Sequence, residues 1–184
     1  LLGPEMKSTG ESMGVADNFG WAFAKAQMGV GGELPLEGTV FLSVNDNDKA
    51  TLLPIARRLA QLGFKLLGTS GTASYLGAQG LPVQTVFKVN EGHPNIADRI
   101  ASGEVQLAVN TPLGKESFYD ETAIRKASLA YGVPCITTLS GSRAAVDAIR
   151  TLRAGDWDVE SLQEGRARRA RAELSSRLPD RPSG

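Results

Sequence analysis

Phe64-Lys65-Leu66-Leu67-Gly68-Thr69-Ser70-Gly71-Thr72 is the stretch from which the rest of the chain is read. An apolar run of strand character passes into small hydroxyl and glycine residues, and a helix-like segment follows over 73–79. A strand that turns directly into a helix leaves the first N–H groups of that helix without intrahelical partners, at the end where the helix dipole is positive. Two readings fit Thr69-Ser70-Gly71-Thr72. One is an ordinary helix cap; the other is a cradle for a phosphate or carboxylate. In the cradle, Thr69 and Thr72 supply hydroxyl donors and Gly71 lets an anion come close to the backbone.

Outward from this turn the chain alternates strand and helix. Thr39-Val40-Phe41-Leu42-Ser43-Val44 is β-rich, and Asn45-Asp46-Asn47-Asp48 supplies caps for an amphipathic helix through Leu52, Ile55, Ala56, Leu59 and Leu62, stopped by Gly63. Strands over 64–68, 83–87, 105–110 and 134–137 alternate with helices over 73–79, 95–101, 121–131 and 143–152. Parallel strands need crossovers, and each crossover lays its helix on one face of the sheet. The pattern therefore predicts an α/β protein, a three-layer α/β/α sandwich around a five-stranded parallel sheet. Residues 17–28 read as a helix outside this alternation, with Asp17 as its cap, and residues 29–35 read as a linker. The expected organisation is a preceding piece over 1–37, the α/β domain over 38–164, and a basic tail over 165–184.

A chain of 184 residues accommodates one well-buried domain with extra segments. Lysine plus arginine and aspartate plus glutamate balance at 20 each, so no overall field draws the chain to nucleic acid or an anionic membrane, and any anion site is local. The tail has no aromatic residues between its arginines and reads as a solvated terminus. Cys135 is the one cysteine, which excludes an intramolecular disulfide and fits a reducing, cytoplasmic compartment. No apolar run reaches membrane-spanning length, and the first residues lack the order of a signal peptide. One histidine and one cysteine give no basis for a nitrogen- or sulfur-ligated metal site.

Ligands of open parallel sheets sit beyond the carboxyl ends of the strands. The polar residues there are Ser43 and Lys49 after the first strand, Thr69 and Thr72 after the second, Lys88 after the third, Asn110 and Thr111 after the fourth, and Thr137 and Thr138 after the fifth. Two lysines and several hydroxyls near a helix N-terminus suit a phosphorylated ligand, with each charge-assisted hydrogen bond worth about 1.5–3 kcal/mol. Solvated lysines and threonines that satisfy loop backbone fit the same spacing. His93 lies in a loop with no serine or cysteine nucleophile nearby in sequence, and neither a Walker loop nor a dinucleotide fingerprint is present. Binding without chemistry is the expectation, with no catalytic residue assigned.

Two sets of residues resemble a known family. Pro4-Glu5-Met6-Lys7-Ser8-Thr9-Gly10-Glu11-Ser12-Met13-Gly14 is similar to the segment that closes the second ATP-grasp unit of the carbamoyl phosphate synthetase large subunit. Leu42-Ser43-Val44 through Asp48-Lys49, Thr69-Ser70-Gly71-Thr72, Lys88-Val89-Asn90-Glu91-Gly92 and Val109-Asn110-Thr111 resemble, in that order, its C-terminal allosteric domain, which is methylglyoxal-synthase-like. The resemblance covers residues 1–164. It implies a regulatory domain of an ATP- and Mg-dependent ligase serving pyrimidine and arginine biosynthesis, with no cofactor of its own. It further implies UMP, IMP and ornithine as effectors, the remainder of the large subunit and the glutaminase small subunit as partners, and an oligomeric assembly.

By motif position, the family's nucleotide phosphate falls to Lys49, Thr69, Gly71, Thr72 and Lys88, with Ser43, Asn110 and Thr111 beside it. Pro112 stands where the family often has a further threonine. Cys135 stands where a tyrosine helps to hold ornithine, while Thr137 is retained. Methylglyoxal synthase carries a glycine-glycine-aspartate whose aspartate is its base, whereas this chain reads Glu91-Gly92-His93. A phospholyase acting on a triose phosphate is the alternative function, with Glu91 or Asp98 as substitute base; an oligomerisation module is the third.

Overall fold

The computed structural model describes residues 12–16, 19–29, 33–111 and 118–155. Residues 4–11 of the family-like segment, the Asp17 cap, linker residues 30–32, Pro112 and the tail 165–184 lie outside the described residues. Helix α1 (Phe19–Gly29) precedes the alternation β1 (Thr39–Ser43), α2 (Lys49–Gln61), β2 (Lys65–Gly68), α3 (Ser70–Ala78), β3 (Val83–Thr85), α4 (Ile96–Ala101), β4 (Leu107–Asn110), α5 (Phe118–Ala130), β5 (Cys135–Ile136) and α6 (Leu139–Arg153), with a 3-10 turn at Asp46–Asp48 ahead of α2. The five strands form one sheet in the order β3-β2-β1-β4-β5, and every pairing is parallel.

Strand alternation sorts the core into two layers. Val40, Leu42 and Val44 of the β1 run, with Leu66, Leu107 and Val109, face Leu52, Ile55 and Leu59 of α2, Leu76 of α3, and Ala145, Val146 and Ile149 of α6. Phe41, Leu67 and Ala108 point the other way, onto Ile96 and Ile100 of α4 and Ile124 of α5. Both sheet faces are thus covered, as continuous apolar strands require. Ala24 of α1 and Leu34 bury in the first layer, where α1 lies along α6.

Several element boundaries differ from those expected. Helix α3 begins at Ser70, α5 at Phe118 and α6 at Leu139, each a few residues before the expected start; the serine, glycine and threonine in the first turns of α3 and α6 read as loop, although Thr72 and Ser142 are buried. Strand β3 ends at Thr85, after which Val86 N–H still donates to the Gly68 carbonyl at 2.9 Å and Phe87 bridges to Asn95. Strand β4 begins at Leu107, just after Gln106, whose backbone N–H donates to the Thr39 carbonyl at 3.0 Å and whose side chain makes two further bonds. Its Oε1 accepts from Thr39 N–H at 2.7 Å and its Nε2 donates to the Gly103 carbonyl at 2.7 Å, closing the amino ends of β1 and β4.

Gly38 makes that closure possible. Its φ of +113° lies where side chains are rarely accommodated, and a Cβ there would fall 2.1 Å from Gln106 Oε1. Gly38→Ala is therefore expected to destabilise the domain by about 1–3 kcal/mol, read as a lower midpoint in urea unfolding.

Candidate functional site at the strand carboxyl ends

Strand order reverses about β1, because the chain steps outward to β2 and β3 and then returns to place β4 on the opposite side. The helix after β1, α2, packs on one face of the sheet and the helix after β4, α5, on the other, the arrangement that leaves a crevice at the carboxyl ends of such strands. Ser43 and Asn110 are register partners at this point, and they lie on the same sheet face as Phe41 and Ala108. Thr111 N–H donates to the Ser43 carbonyl at 3.0 Å, extending the pairing by one residue. Ser43 is 3% exposed and Asn110 6%, yet neither side chain hydrogen-bonds to any described residue. Both stand at the switch point of the sheet, where open parallel sheets hold their ligands.

The next strand end contributes backbone donors. Thr69 is the N-cap of α3 in extended conformation, but its side chain does not cap the helix. Its hydroxyl is bonded instead to Thr72 Oγ1 at 3.3 Å, and Thr72 Oγ1 accepts from Val44 N–H at 3.4 Å. The first helical bond runs from Ala73 N–H to the Thr69 carbonyl, so the N–H groups of Ser70, Gly71 and Thr72 precede the helical ladder. Asn95 and Thr138 show the usual arrangement, each accepting from backbone N–H groups of the helix it starts. Of the two readings of this turn, the side-chain cap is not formed.

A cation sits above these donors. Lys49 opens α2, and its Nζ lies 3.3 Å from where a Cβ on Gly71 would be. The Lys49 side chain is only 16% exposed, and its ammonium meets Asp46 Oδ1 at 2.7 Å. Asp46 is in turn held below the usual carboxylate range, first by its hydrogen bond to Lys49 and then by that charge. Asp48 has a different task. Its Oδ2 accepts from Asn45 Nδ2 at 2.7 Å and from Thr111 Oγ1 at 3.4 Å, tying the turn after β1 to the end of β4. Both carboxylates read as simple caps in the sequence; the signal for Asp46 was its i,i+3 spacing to Lys49.

The structure thus gathers Ser43, Lys49, Thr69, Gly71, Thr72, Asn110 and Thr111 into one connected set. Lys88 and Thr137 stand apart from it. Lys88 lies beyond β3, half-buried, with its N–H donating to Glu91 Oε2 at 2.8 Å. Thr137 follows β5 without a bond to the set, beside Thr138, whose Oγ1 accepts from Gly141 N–H at 3.1 Å as the cap of α6. Cys135 is half-buried in β5, and burial pushes its thiol up against the smaller opposing effects of Ser128 and Arg125.

Neither candidate base of a lyase is free. Asp98 Oδ2 accepts from Asn95 N–H at 2.8 Å in a capping box and pairs with His93 Nδ1 at 2.6 Å. The Asn95 bond and the His93 bond lower its pKa, so Asp98 is ionised but weakly basic. Glu91 is engaged by Lys88 N–H. Among the described residues no three His, Cys, Asp or Glu side chains converge to hold a metal ion, and no helix is long and apolar enough to cross a membrane. A groove of about 390 Å³ opens elsewhere, between α2 and α6, and includes Arg58 and Asp147. Arg58 is paired to Asp147 at 3.0 Å there, and helix flanks offer no free backbone donors, so the groove lacks the chemistry of the strand ends.

A family model described as the MGS-like domain matches residues 51–137, which include Thr69, Gly71, Thr72, Lys88, Asn110, Thr111 and Thr137, with Ser43 and Lys49 just ahead. The carbamoyl phosphate synthase large chain of Acidobacterium capsulatum is 52% identical over 163 residues, covering 89% of this chain and 15% of that one. The α/β unit is an MGS-like domain of the carbamoyl phosphate synthase large-chain type. A C-terminal section of that large chain from Methanopyrus kandleri is 50% identical over 165 residues, covering 89% of this chain and 30% of that one. The chain therefore spans about one-seventh of the first such relative. The methylglyoxal synthase of Elizabethkingia anophelis shares the fold at a TM-score of 0.51 and 17% identity, over 61% of this chain and 79% of its own.

Two measurements check the geometry of this MGS-like domain. A methyl group on Gly71 would meet only the far end of Lys49, and alanine favours helix, so Gly71→Ala is expected to leave the urea midpoint unchanged or raise it. Burial disfavours the Cys135 thiolate, so iodoacetamide at pH 8 is expected to label the native domain at least tenfold more slowly than the urea-unfolded chain.

Proposed function

We propose that this MGS-like domain is the effector-sensing part of a carbamoyl phosphate synthase large chain, and that it binds the phosphate of a nucleotide at the carboxyl ends of β1, β2 and β4. One observation carries the reading: Lys49, its side chain largely buried, stands over the side-chain-uncapped first turn of α3, next to Ser43 and Asn110 at the switch point. Those are the ingredients of an anion site: free N–H groups, a positive dipole end, a fixed cation and hydroxyl donors. Lys49, Thr69, Gly71 and Thr72 take the phosphate, while Ser43, Asn110 and Thr111 read what is attached to it. The family resemblance adds Lys88, which stands apart from this set beyond β3. UMP and IMP are the nucleotides that the family resemblance implies. Ornithine would meet Thr137 beside Cys135 in place of the family's tyrosine.

In this reading residues 1–37 end the preceding synthetase unit, residues 38–164 sense the effector, and ATP is used by parts of the large chain that this sequence does not span. Coupling between the two is a binding free energy difference, typically about 1–3 kcal/mol. The occupied states of Asp98 and Glu91 favour sensing over a lyase reaction, since proton abstraction needs a free base near the ligand.

Calorimetric titration of UMP and IMP into this chain tests the proposal, with saturable binding of at least one expected. Lys49→Ala is expected to weaken that binding at least tenfold, about 1.4 kcal/mol. Gly71→Ala is expected to weaken it too, without loss of stability. Absence of binding by both nucleotides overturns the reading.

A further inference from the structure

We propose that Asp46 is a built-in competitor for the anion site, its carboxylate holding the Lys49 ammonium where an incoming phosphate must displace it. The inference rests on the phosphate-site reading above and adds to it what sets the site's affinity. Three observations carry it. The Asp46 carboxylate lies 2.7 Å from Lys49 Nζ, and that ammonium stands over the first turn of α3. The Asp46 side chain is 91% exposed against 16% for Lys49, so Asp46 approaches the ammonium from the solvent side. A ligand coming from solvent meets that side first.

The carboxylate is also free to leave. Among the described residues Lys49 is its only partner, whereas Asp48, two positions on, is tied to both Asn45 and Thr111. An ion pair whose carboxylate stands in solvent is weakened by water, and a phosphate bonded to both a cation and backbone N–H groups is held more strongly. Exchange of one anion for the other is therefore favourable but not free. Asp46 lowers the apparent affinity in two ways: it neutralises Lys49 before binding, and its displaced charge remains near the ligand afterwards. The lowered pKa of Asp46 keeps this competitor ionised throughout the neutral range.

The test is titration of inorganic phosphate into the chain at low ionic strength, followed through the amide resonances of Gly71 and Thr72. Wild type, Asp46→Asn, Asp48→Asn and Lys49→Ala are compared. Asp46→Asn is expected to bind phosphate about three- to tenfold more tightly than wild type. Asp48→Asn removes the same charge without touching Lys49, and it is expected to gain much less. If Asp46→Asn binds no more tightly, or if Asp48→Asn gains as much, direct competition is overturned while the phosphate site stands. If none of the four proteins shifts those amides, the phosphate-site reading falls and the competitor falls with it. Tight binding by Asp46→Asn with none by wild type supports the competitor in its strongest form.

Discussion

Residues 40–43 of β1 lie in parallel register with residues 107–110 of β4, and the chain reaches β4 only after building β2 and β3 on the other side of β1. Backbone pairing of this kind is indifferent to side chains, yet it dictates where loops can go. Connections that leave two adjacent parallel strands toward opposite flanks cannot pack on each other, so a crevice remains at the carboxyl ends. The amino ends face no such problem, and there Gln106 and Gly38 close the gap tightly. One sheet thus has a sealed end and an open end, and the proposed anion site lies at the open one.

What fills the open end is governed by electrostatics more than by shape. Three N–H groups of α3 precede its helical ladder, and the hydroxyl that would normally cap them is drawn into a bond with Thr72. Lys49 is fixed above them by its place at the start of α2. Separated, each of these is an ordinary helix terminus or an ordinary lysine. Together they concentrate positive potential in a place partly shielded from water, where charge interactions are stronger than at a free surface. The overall charge balance of the chain means that this local potential is not reinforced by a general field.

Much of this was legible in the residues. The strand and helix alternation gave the layer order, since apolar periods of two and of three to four residues are the direct imprint of which faces are buried. The positions of Lys49, Thr69, Gly71, Thr72 and Asn110 at strand ends followed from the same alternation. The starts of α3 and α6 did not, because first turns of serine, glycine and threonine read as loop even where, as at Thr72 and Ser142, the side chain is buried. Asp46 and Asp48 were legible as caps but not as two carboxylates with different partners, since which one meets Lys49 depends on the 3-10 turn geometry. The diversion of the Thr69 hydroxyl to Thr72 was equally invisible: a threonine before a helix almost always looks like its cap. Lys88 and Thr137 were placed correctly at strand ends, yet strand ends at the sheet's flanks lie outside the connected set.

Ser43 and Asn110 take no part in the hydrogen bonds that hold the sheet beyond their backbone, and they end their strands after the apolar runs are complete. A substitution at either position alters what the crevice presents while leaving the two core layers and the strand register as they were. On the proposed reading, recognition and folding are therefore written in different residues of the same two strands. On that reading a lineage carrying this domain exchanges one ligand for another by small steps, none of which has to pass through an unfolded ancestor.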